Sequence, residues 1–120
     1  MVLLILTGKI TVSNMTISNI SEMTRGWFIG NFEPSILKTK DFEVGVMSHK
    51  KGEYWAPHIH KEAIEYNLLL DGLMNVNDVI IEPGTIFIFD KGEIARPIFL
   101  EDCRVLVVKS PSIPGDKYVV

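Results

Sequence analysis

Short apolar runs separated by turn residues follow one another along most of this chain. The runs recur at intervals of about 8–12 residues and are rich in β-branched and aromatic residues, which is typical of strands in a sandwich or barrel. The pattern predicts strands over residues 26–30, 42–47, 53–60, 65–70, 73–76, 79–81, 85–89, 94–100 and 103–109. Only residues 34–40 and 61–64 could form a helical turn, and neither is long enough for a βαβ crossover. The sequence therefore predicts an all-β fold.

Two turn sequences lie between apolar runs in the middle of the chain. Asp71-Gly72 predicts a hairpin, because this dipeptide tolerates the positive φ angles that tight two-residue turns require. Asn77-Asp78 predicts a second tight turn for the same reason. The chain after Pro111 is interrupted by Pro114 and Gly115, and we expect this tail to lie across the body of the domain.

Residues 1–24 differ from the rest of the chain, because they are rich in Thr, Ser and Asn and alternate only weakly. Residues 11–14 and 16–19 nearly duplicate each other, and β-branched residues favour an extended arm over a helix. The arm is either a poorly ordered tail or an edge strand added to its own sheet or to that of a partner. The predicted division is thus an N-terminal arm at 1–24 and a barrel domain at 25–120.

Composition excludes several classes of protein. The chain has 120 residues, of which 47% are hydrophobic and 22% charged, an ordinary balance for one globular domain. A net charge of −3 argues against a nucleic-acid partner, and no apolar run is long enough to span a membrane. One cysteine excludes a disulfide framework within the chain. Because the N-terminus also lacks the features of a secretory signal, we expect a cytoplasmic protein.

Histidines and a glutamate are concentrated in residues 58–65. Alternate side chains of a strand share a face, so His58 and His60 should project from the same side. If Glu65 opens a strand running back alongside, its carboxylate can reach the same point. Two imidazoles and one carboxylate suit a divalent transition metal such as Fe, Mn, Ni or Zn. The alternative is that the histidines are interior polar residues hydrogen-bonded to Glu65.

The spacing of these residues resembles the first signature motif of the cupin superfamily. Gly52, His58, His60, Glu65 and Gly72 stand at the five motif positions. The resemblance implies a cupin-type double-stranded β-helix, also called a jelly-roll barrel. It also implies that the two histidines and the glutamate are metal ligands.

The second cupin motif is incomplete in this chain. Gly84 and Gly92 keep the two glycine positions, whereas Asp90 replaces the usual proline. Ala95 stands where the family has a histidine that supplies a fourth ligand. The motifs therefore supply three protein ligands at most, which predicts a weakened metal site.

Other candidate residues have simpler predicted roles. We expect His49 to be solvated in a basic turn and Arg96 to point away from the barrel interior. Tyr54 is predicted either to line the mouth of the pocket or to pack in the core. Phe99 should fill the barrel interior, and Cys103 should be a small buried hydrophobic residue rather than a nucleophile.

These residues leave three functions open. The barrel could be an enzyme that holds one divalent metal and transforms a small-molecule ligand. It could instead be a non-catalytic module that captures a small ligand, an alternative favoured by the missing histidine, or a structural cupin with a degenerate metal site. We also expect a homodimer, because sheet edges of small barrels pair readily and the arm at 1–24 could be exchanged.

Overall fold

The computed structural model describes the backbone of residues 3–6 and all of residues 8–120. This part of the chain contains short strands and a single turn of 3-10 helix at Ile20–Glu22, which confirms the all-β prediction. No helix within it is long and apolar enough to cross a membrane. The strands are β1 Leu3–Leu6, β2 Lys9–Val12, β3 Met15–Ile17, β4 Trp27–Gly30, β5 Leu37–Lys38, β6 Glu43–His49, β7 His58–Ile59, β8 Ile64–Asp71, β9 Met74–Val76, β10 Val79–Ile81, β11 Ile86–Phe89, β12 Pro97–Phe99, β13 Cys103–Ser110 and β14 Tyr118–Val119.

Two sheets face each other and enclose the core. The larger has the strand order β11-β8-β13-β6-β4-β5, and the smaller has the order β10-β9-β12. Inward-facing side chains alternate with outward-facing ones along each strand, so the apolar ones meet between the sheets. The buried core contains Leu69, Phe89, Val105 and Val107 from the larger sheet, and Met74, Val76, Ile81 and Phe99 from the smaller one. This arrangement is the predicted jelly-roll barrel.

Gly72 carries the chain from one sheet to the other. The prediction of a hairpin at Asp71-Gly72 was wrong, because β8 belongs to the larger sheet and β9 to the smaller. Gly72 has a φ of +96°, and a Cβ at this position would lie 2.3 Å from the carbonyl oxygen of Asp102. Glycine is required here by a close crossing of two chain segments, which is a tertiary property rather than a property of a local turn.

The turn at Asn77-Asp78 was predicted correctly and joins β9 to β10. Both residues have positive φ angles, 51° and 66°, as a two-residue hairpin turn of this kind requires. The Asn77 side chain donates to the carbonyl of Ile94 at 2.8 Å and accepts from the amide of Arg96 at 2.7 Å. The turn therefore also holds the segment that leads through Ala95 to β12.

The N-terminal strands form a small sheet of their own. In the described residues β1, β2 and β3 pair in that order and with no strand of the barrel. Residues 1, 2 and 7 of the predicted arm lie outside the described residues. Exchange of the segment 1–24 with a partner chain stays a prediction, as does the division at residue 24.

The outer face of the larger sheet carries adjacent rows of apolar and aromatic side chains. Strand β11 lies at the sheet edge, and its register aligns the rows Ile86–Leu68–Leu106 and Ile88–Tyr66–Val108. Ile86 is 70% exposed and Ile88 is 54% exposed. A contiguous apolar patch beside an open sheet edge is typical of an interface. We propose that two copies of the chain associate through this patch.

Ile88→Lys should therefore convert the protein from a dimer to a monomer, because a lysine buried in this interface would lose its hydration. Light scattering coupled to size-exclusion chromatography at micromolar concentration measures the mass. Ile98→Lys is the matched control, since Ile98 is equally exposed, at 53%, but lies on the smaller sheet. A monomeric mass for the unaltered protein would contradict the prediction.

Candidate functional site

A cavity of about 1330 Å³ opens between the two sheets. His58, His60 and Glu65 all line it. The two histidines are 7% and 4% exposed, so both imidazoles are inside the barrel rather than on its rim. Their ring centroids are 5.3 Å apart with the rings nearly perpendicular. The structure therefore brings the three predicted residues to one wall of the cavity.

The segment before the histidines is less regular than predicted. Residues 53–60 were expected to form one strand, but only His58–Ile59 is a strand, β7, and it pairs with β14 near the C-terminus. Tyr54 makes an isolated bridge to Ile98. His58 and His60 still face the same side, because the backbone between them is extended and alternates.

His60 is oriented by the C-terminal tail. Its Nδ1 contacts the backbone carbonyl of Asp116, which can only accept a hydrogen bond, so Nδ1 carries the proton. The other nitrogen, Nε2, is buried and has no hydrogen-bond partner among the described residues. It lies 3.4 Å from Oε1 of Glu65. A buried lone pair facing a carboxylate is unfavourable unless a cation or a proton lies between them.

His58 is held in the same tautomer. Its Nδ1 donates to the carbonyl of Ala56 at 3.0 Å, which leaves Nε2 with a lone pair. Burial lowers the pKa of His58 below its ordinary value, so the imidazole is neutral at pH 7. A neutral imidazole whose other nitrogen is bound to a carbonyl is the usual form of a metal-ligating histidine.

Glu65 lies near the start of β8 with its carboxylate in the cavity wall. Burial opposes its ionisation, but the contact with His60 and the charge of Lys109 outweigh burial and hold the pKa of Glu65 below its ordinary value. The amide nitrogen of Asn67 also donates to Oε2 at 3.2 Å. The residue is therefore an ionised carboxylate with one oxygen positioned toward His60.

The geometry of His60 and Glu65 fits a shared metal ion. Two ligand atoms about 2.1 Å from one ion lie roughly 3.0–3.4 Å apart, depending on the angle between them. The observed separation of 3.4 Å falls at the tetrahedral end of this range. No three His, Cys, Asp or Glu side chains of the described chain are already close enough to hold an ion together. His60 and Glu65 are thus the pre-arranged pair, whereas His58 lines the same cavity outside that pair.

Ala95 lies directly opposite His58. The two residues exchange backbone hydrogen bonds, 3.2 Å from the His58 amide and 2.8 Å from the Ala95 amide. Ala95 is buried and lines the cavity. The position that the family fills with a histidine is therefore next to the candidate ligands, but here its side chain is a methyl group.

Asp116 ties the C-terminal tail, residues 111–120, to the loop between the ligands. Its carboxylate accepts backbone hydrogen bonds of 2.9–3.3 Å from Lys61, Glu62 and Ala63. Burial opposes ionisation of Asp116, but these hydrogen bonds outweigh it and hold its pKa below the ordinary value. Sequence reasoning missed this residue, and nothing in the local sequence distinguishes it from a solvated aspartate.

Asp116→Ala should lower the free energy of unfolding of the metal-free protein by about 2–4 kcal/mol, because three amides of a partly buried loop lose a charged acceptor. Loosening of the tail should also weaken metal binding by about 10–100-fold, the usual effect of removing a group that orients a ligand. Urea unfolding measures the stability change. Asp41→Ala is the control, since Asp41 is exposed and its carboxylate accepts no hydrogen bond among the described residues. Equal stability losses in the two variants would contradict this role.

His49 is part of the cavity wall, so the prediction of a solvated side chain was wrong. Its ring stacks on Phe99 with centroids 4.1 Å apart, and its Nδ1 lies 2.5 Å from Oε2 of Glu53. Trp55 donates its indole N–H to the same oxygen at 2.6 Å. These hydrogen bonds, from His49 first and then Trp55, lower the pKa of Glu53. The prediction failed because β6 extends to residue 49, so alternation from Met47 turns His49 inward.

The other predicted side-chain positions are mostly confirmed. Arg96 is exposed, while Phe99 and Cys103 are buried in the core. The Cys103 thiol donates toward the carbonyls of Leu73 and Glu101, and burial raises its pKa, as expected of an unreactive cysteine. Tyr54 is 82% exposed at the cavity rim, so the core position considered for it was wrong.

Comparison with known proteins identifies the fold. Neither a protein-family model nor a curated protein matches the sequence. An uncharacterized conserved protein with a double-stranded β-helix domain from Klebsiella pneumoniae superposes with a TM-score of 0.64 at 19% identity, over 87% of this chain and 90% of that one. A sugar phosphate isomerase from a cupin superfamily, from Silicibacter pomeroyi, gives 0.54 at 20% identity over 67% and 57%. The chain has the cupin fold.

A further cupin-fold neighbour is KdgF from Halomonas sp., with a TM-score of 0.59 at 21% identity over 62% of this chain and 74% of that one. Identities this low establish a shared fold and no shared activity. The cavity described above is lined by side chains from both sheets of this fold.

Proposed function

We propose that this cupin binds one divalent transition metal, Fe, Mn, Ni or Zn, through His58, His60 and Glu65, together with a small molecule in the same cavity. The observation that carries the proposal is the buried Nε2 of His60, which faces the Glu65 carboxylate and lacks a hydrogen-bond partner among the described residues. Bound there, such an ion would supply Lewis-acid polarisation of an oxygen-bearing ligand. The protein's own part is to hold the metal-ligating side-chain atoms in place and to shield them from bulk water.

Two groups of residues would assist a bound molecule. Trp55 and Phe99 supply apolar surface in the cavity wall, which excludes water and orients a ligand. His49 also lines the cavity, and Glu53 holds its Nδ1. An imidazole oriented by a carboxylate can accept or donate a proton through its other nitrogen. His49 is therefore the group that an enzyme built on this site would use for proton transfer.

The alternative is a non-catalytic cupin that captures a small ligand with a degenerate metal site or none. The buried methyl group of Ala95 favours this alternative, because three protein ligands bind more weakly than four. The sugar phosphate isomerase among the fold neighbours is an enzyme with the same fold, so catalysis on this barrel rests on an analogy of fold. Both functions use the same cavity and differ in whether the bound molecule is changed.

Elemental analysis of protein purified without a histidine tag tests the metal proposal. The protein is stripped with chelator, incubated separately with Fe²⁺, Mn²⁺, Ni²⁺ and Zn²⁺, desalted and analysed. We expect a stoichiometric amount of at least one ion to be retained. Retention of none of the four would overturn the proposal. For a ligand that does bind, recovery of the unchanged molecule would favour the binding module, whereas turnover that His49→Gln abolishes would favour the enzyme.

A further inference from the structure

Three basic side chains from distant parts of the chain line the same cavity as the candidate metal ligands. They are Arg25, which precedes β4, Lys109 on β13, and Lys117 in the C-terminal tail. Arg25 and Lys117 are exposed at the entrance, whereas Lys109 is half-buried. None of the three forms an ion pair within the described residues. The fourth basic residue of the lining, Arg104, differs, because Asp71 lies 3.5 Å from it.

The carboxylates of the cavity are largely engaged elsewhere. Glu33 pairs with Lys38, Glu53 binds His49 and Trp55, and Asp116 accepts the loop amides. None of these three acids lies within ion-pair distance of Arg25, Lys109 or Lys117.

Glu43 and Glu65 remain, and both flank Lys109 in register on the neighbouring strands. Glu65 is directed at His60, and Glu43 accepts from the hydroxyl of Ser112 at 3.2 Å. Neither glutamate lies within ion-pair distance of Lys109, so the three cations have no direct carboxylate partner among the described residues. Burial, followed by repulsion from Lys109 and Arg25, lowers the pKa of Lys117, so the three cations lie near enough to one another to interact.

Each of the two lysines is held against a tryptophan ring. The Nζ of Lys117 lies 3.7 Å from the ring centroid of Trp55, and the Nζ of Lys109 lies 5.1 Å from that of Trp27. A cation over an aromatic face is fixed in position but keeps ammonium hydrogens free for a ligand. Trp55 is itself anchored through Glu53. The two ammonium groups are therefore positioned before any ligand arrives.

We propose that the cavity takes a small organic anion, whose carboxylate or phosphate group binds among Arg25, Lys109 and Lys117. Lys109 and Glu65 are cross-strand neighbours, so the bound acid group would lie beside the candidate metal site. The inference rests on the cavity of the proposed function and names its substrate class, but the three cations bind an anion without needing the metal. Ion pairs in a partly enclosed cavity are stronger than those on an open surface, because less solvent screens them.

Tryptophan fluorescence tests the proposal directly. The chain has two tryptophans, and each carries one of the lysines, so an anion that binds the lysines should change the emission. Chelator-treated protein is titrated at constant ionic strength with succinate, with inorganic phosphate and with the neutral analogue succinamide. We expect a saturable change with at least one of the two anions and none with succinamide. The anion with the lower dissociation constant shows whether the site prefers a carboxylate or a phosphate.

Lys109→Met and Lys117→Met should each weaken anion binding by about tenfold or more, the effect of losing one charge-assisted hydrogen bond. Arg25→Gln tests the same site at an exposed position that should not affect folding. Lys61→Met is the matched control, because Lys61 lies over the ring of Tyr118 at 4.1 Å and does not line the cavity. Its affinity should be unchanged.

Absence of saturable binding by both anions would overturn the anion site, as would affinities that Lys109→Met, Lys117→Met and Arg25→Gln all leave unchanged. Elemental analysis of the same preparation separates the two proposals. Anion binding by protein that retains no metal would support the anion site and reject the metal. Metal retention without anion binding in either the stripped or the loaded protein would reject the anion site alone.

Discussion

His60→Ala is expected to lower the affinity for a divalent transition metal by at least about 100-fold, because it removes the candidate ligand with the best-defined orientation. The Nδ1 proton of His60 is held by the carbonyl of Asp116, which directs the lone pair of Nε2 at Glu65. The variant loses both this lone pair and half of the pre-arranged pair. Competition with a chromophoric chelator measures the dissociation constant for each ion.

His49→Ala is the matched control for that experiment. His49 lines the same cavity, but its Nδ1 is bound to Glu53 and it is not part of the cupin motif. The His49→Ala variant should therefore bind each metal ion as tightly as the unaltered protein does. Equal losses of affinity in the two variants would reject His60 as a ligand and point to general disruption of the barrel.

Ala95→His is expected to raise metal affinity by about tenfold or more, because it returns the fourth ligand that the cupin motif lacks here. Ala95 is paired with His58 across an antiparallel bridge and faces the cavity. The backbone of residue 95 already lies beside that of His58, so an imidazole at this position would lie close to the candidate ligands. Isothermal titration with Zn²⁺ and Mn²⁺ measures the gain.

Ala95→Leu separates coordination from the effect of added volume, since leucine fills similar space and offers no ligand atom. We expect Ala95→Leu to bind metal no more tightly than the unaltered protein. If a folded Ala95→His variant also bound no more tightly, the three-residue site would not be a cupin site that has merely lost one ligand. Circular dichroism of both variants verifies that the barrel is intact.

The C-terminal tail links the two proposals. Asp116 orients His60 and holds the loop at residues 61–63, while the next residue, Lys117, reaches the cavity entrance over Trp55. The same ten residues therefore contribute to the metal side and to the anion side of the cavity. Removal of residues 111–120 would expose the apolar lining as well, so point substitutions at Asp116 and Lys117 are the better probes.

Local patterns in the sequence correctly predicted the features that depend only on neighbouring residues. Alternation placed His58 and His60 on one face, and turn chemistry located the hairpin at Asn77-Asp78. The predictions of a hairpin at Asp71-Gly72 and of a solvated His49 were wrong because both positions are determined by contacts with distant residues. Gly72 is required where the chain crosses Asp102, and His49 faces inward because pairing with β13 extends β6 beyond its apolar run.

The sequence by itself determined an all-β cupin barrel and a set of three candidate ligands, because strand alternation and motif spacing act over a few residues. Only the tertiary structure decided what surrounds that set. Asp116 meets His60 across 56 positions of the chain, and the cations come from residues 25, 109 and 117. Contacts at such separations depend on how the sheets close and where the tail crosses the barrel. No period or turn signal in the chain encodes them, which is why the orientation of the ligands and the charge of the cavity could be known only from the folded protein.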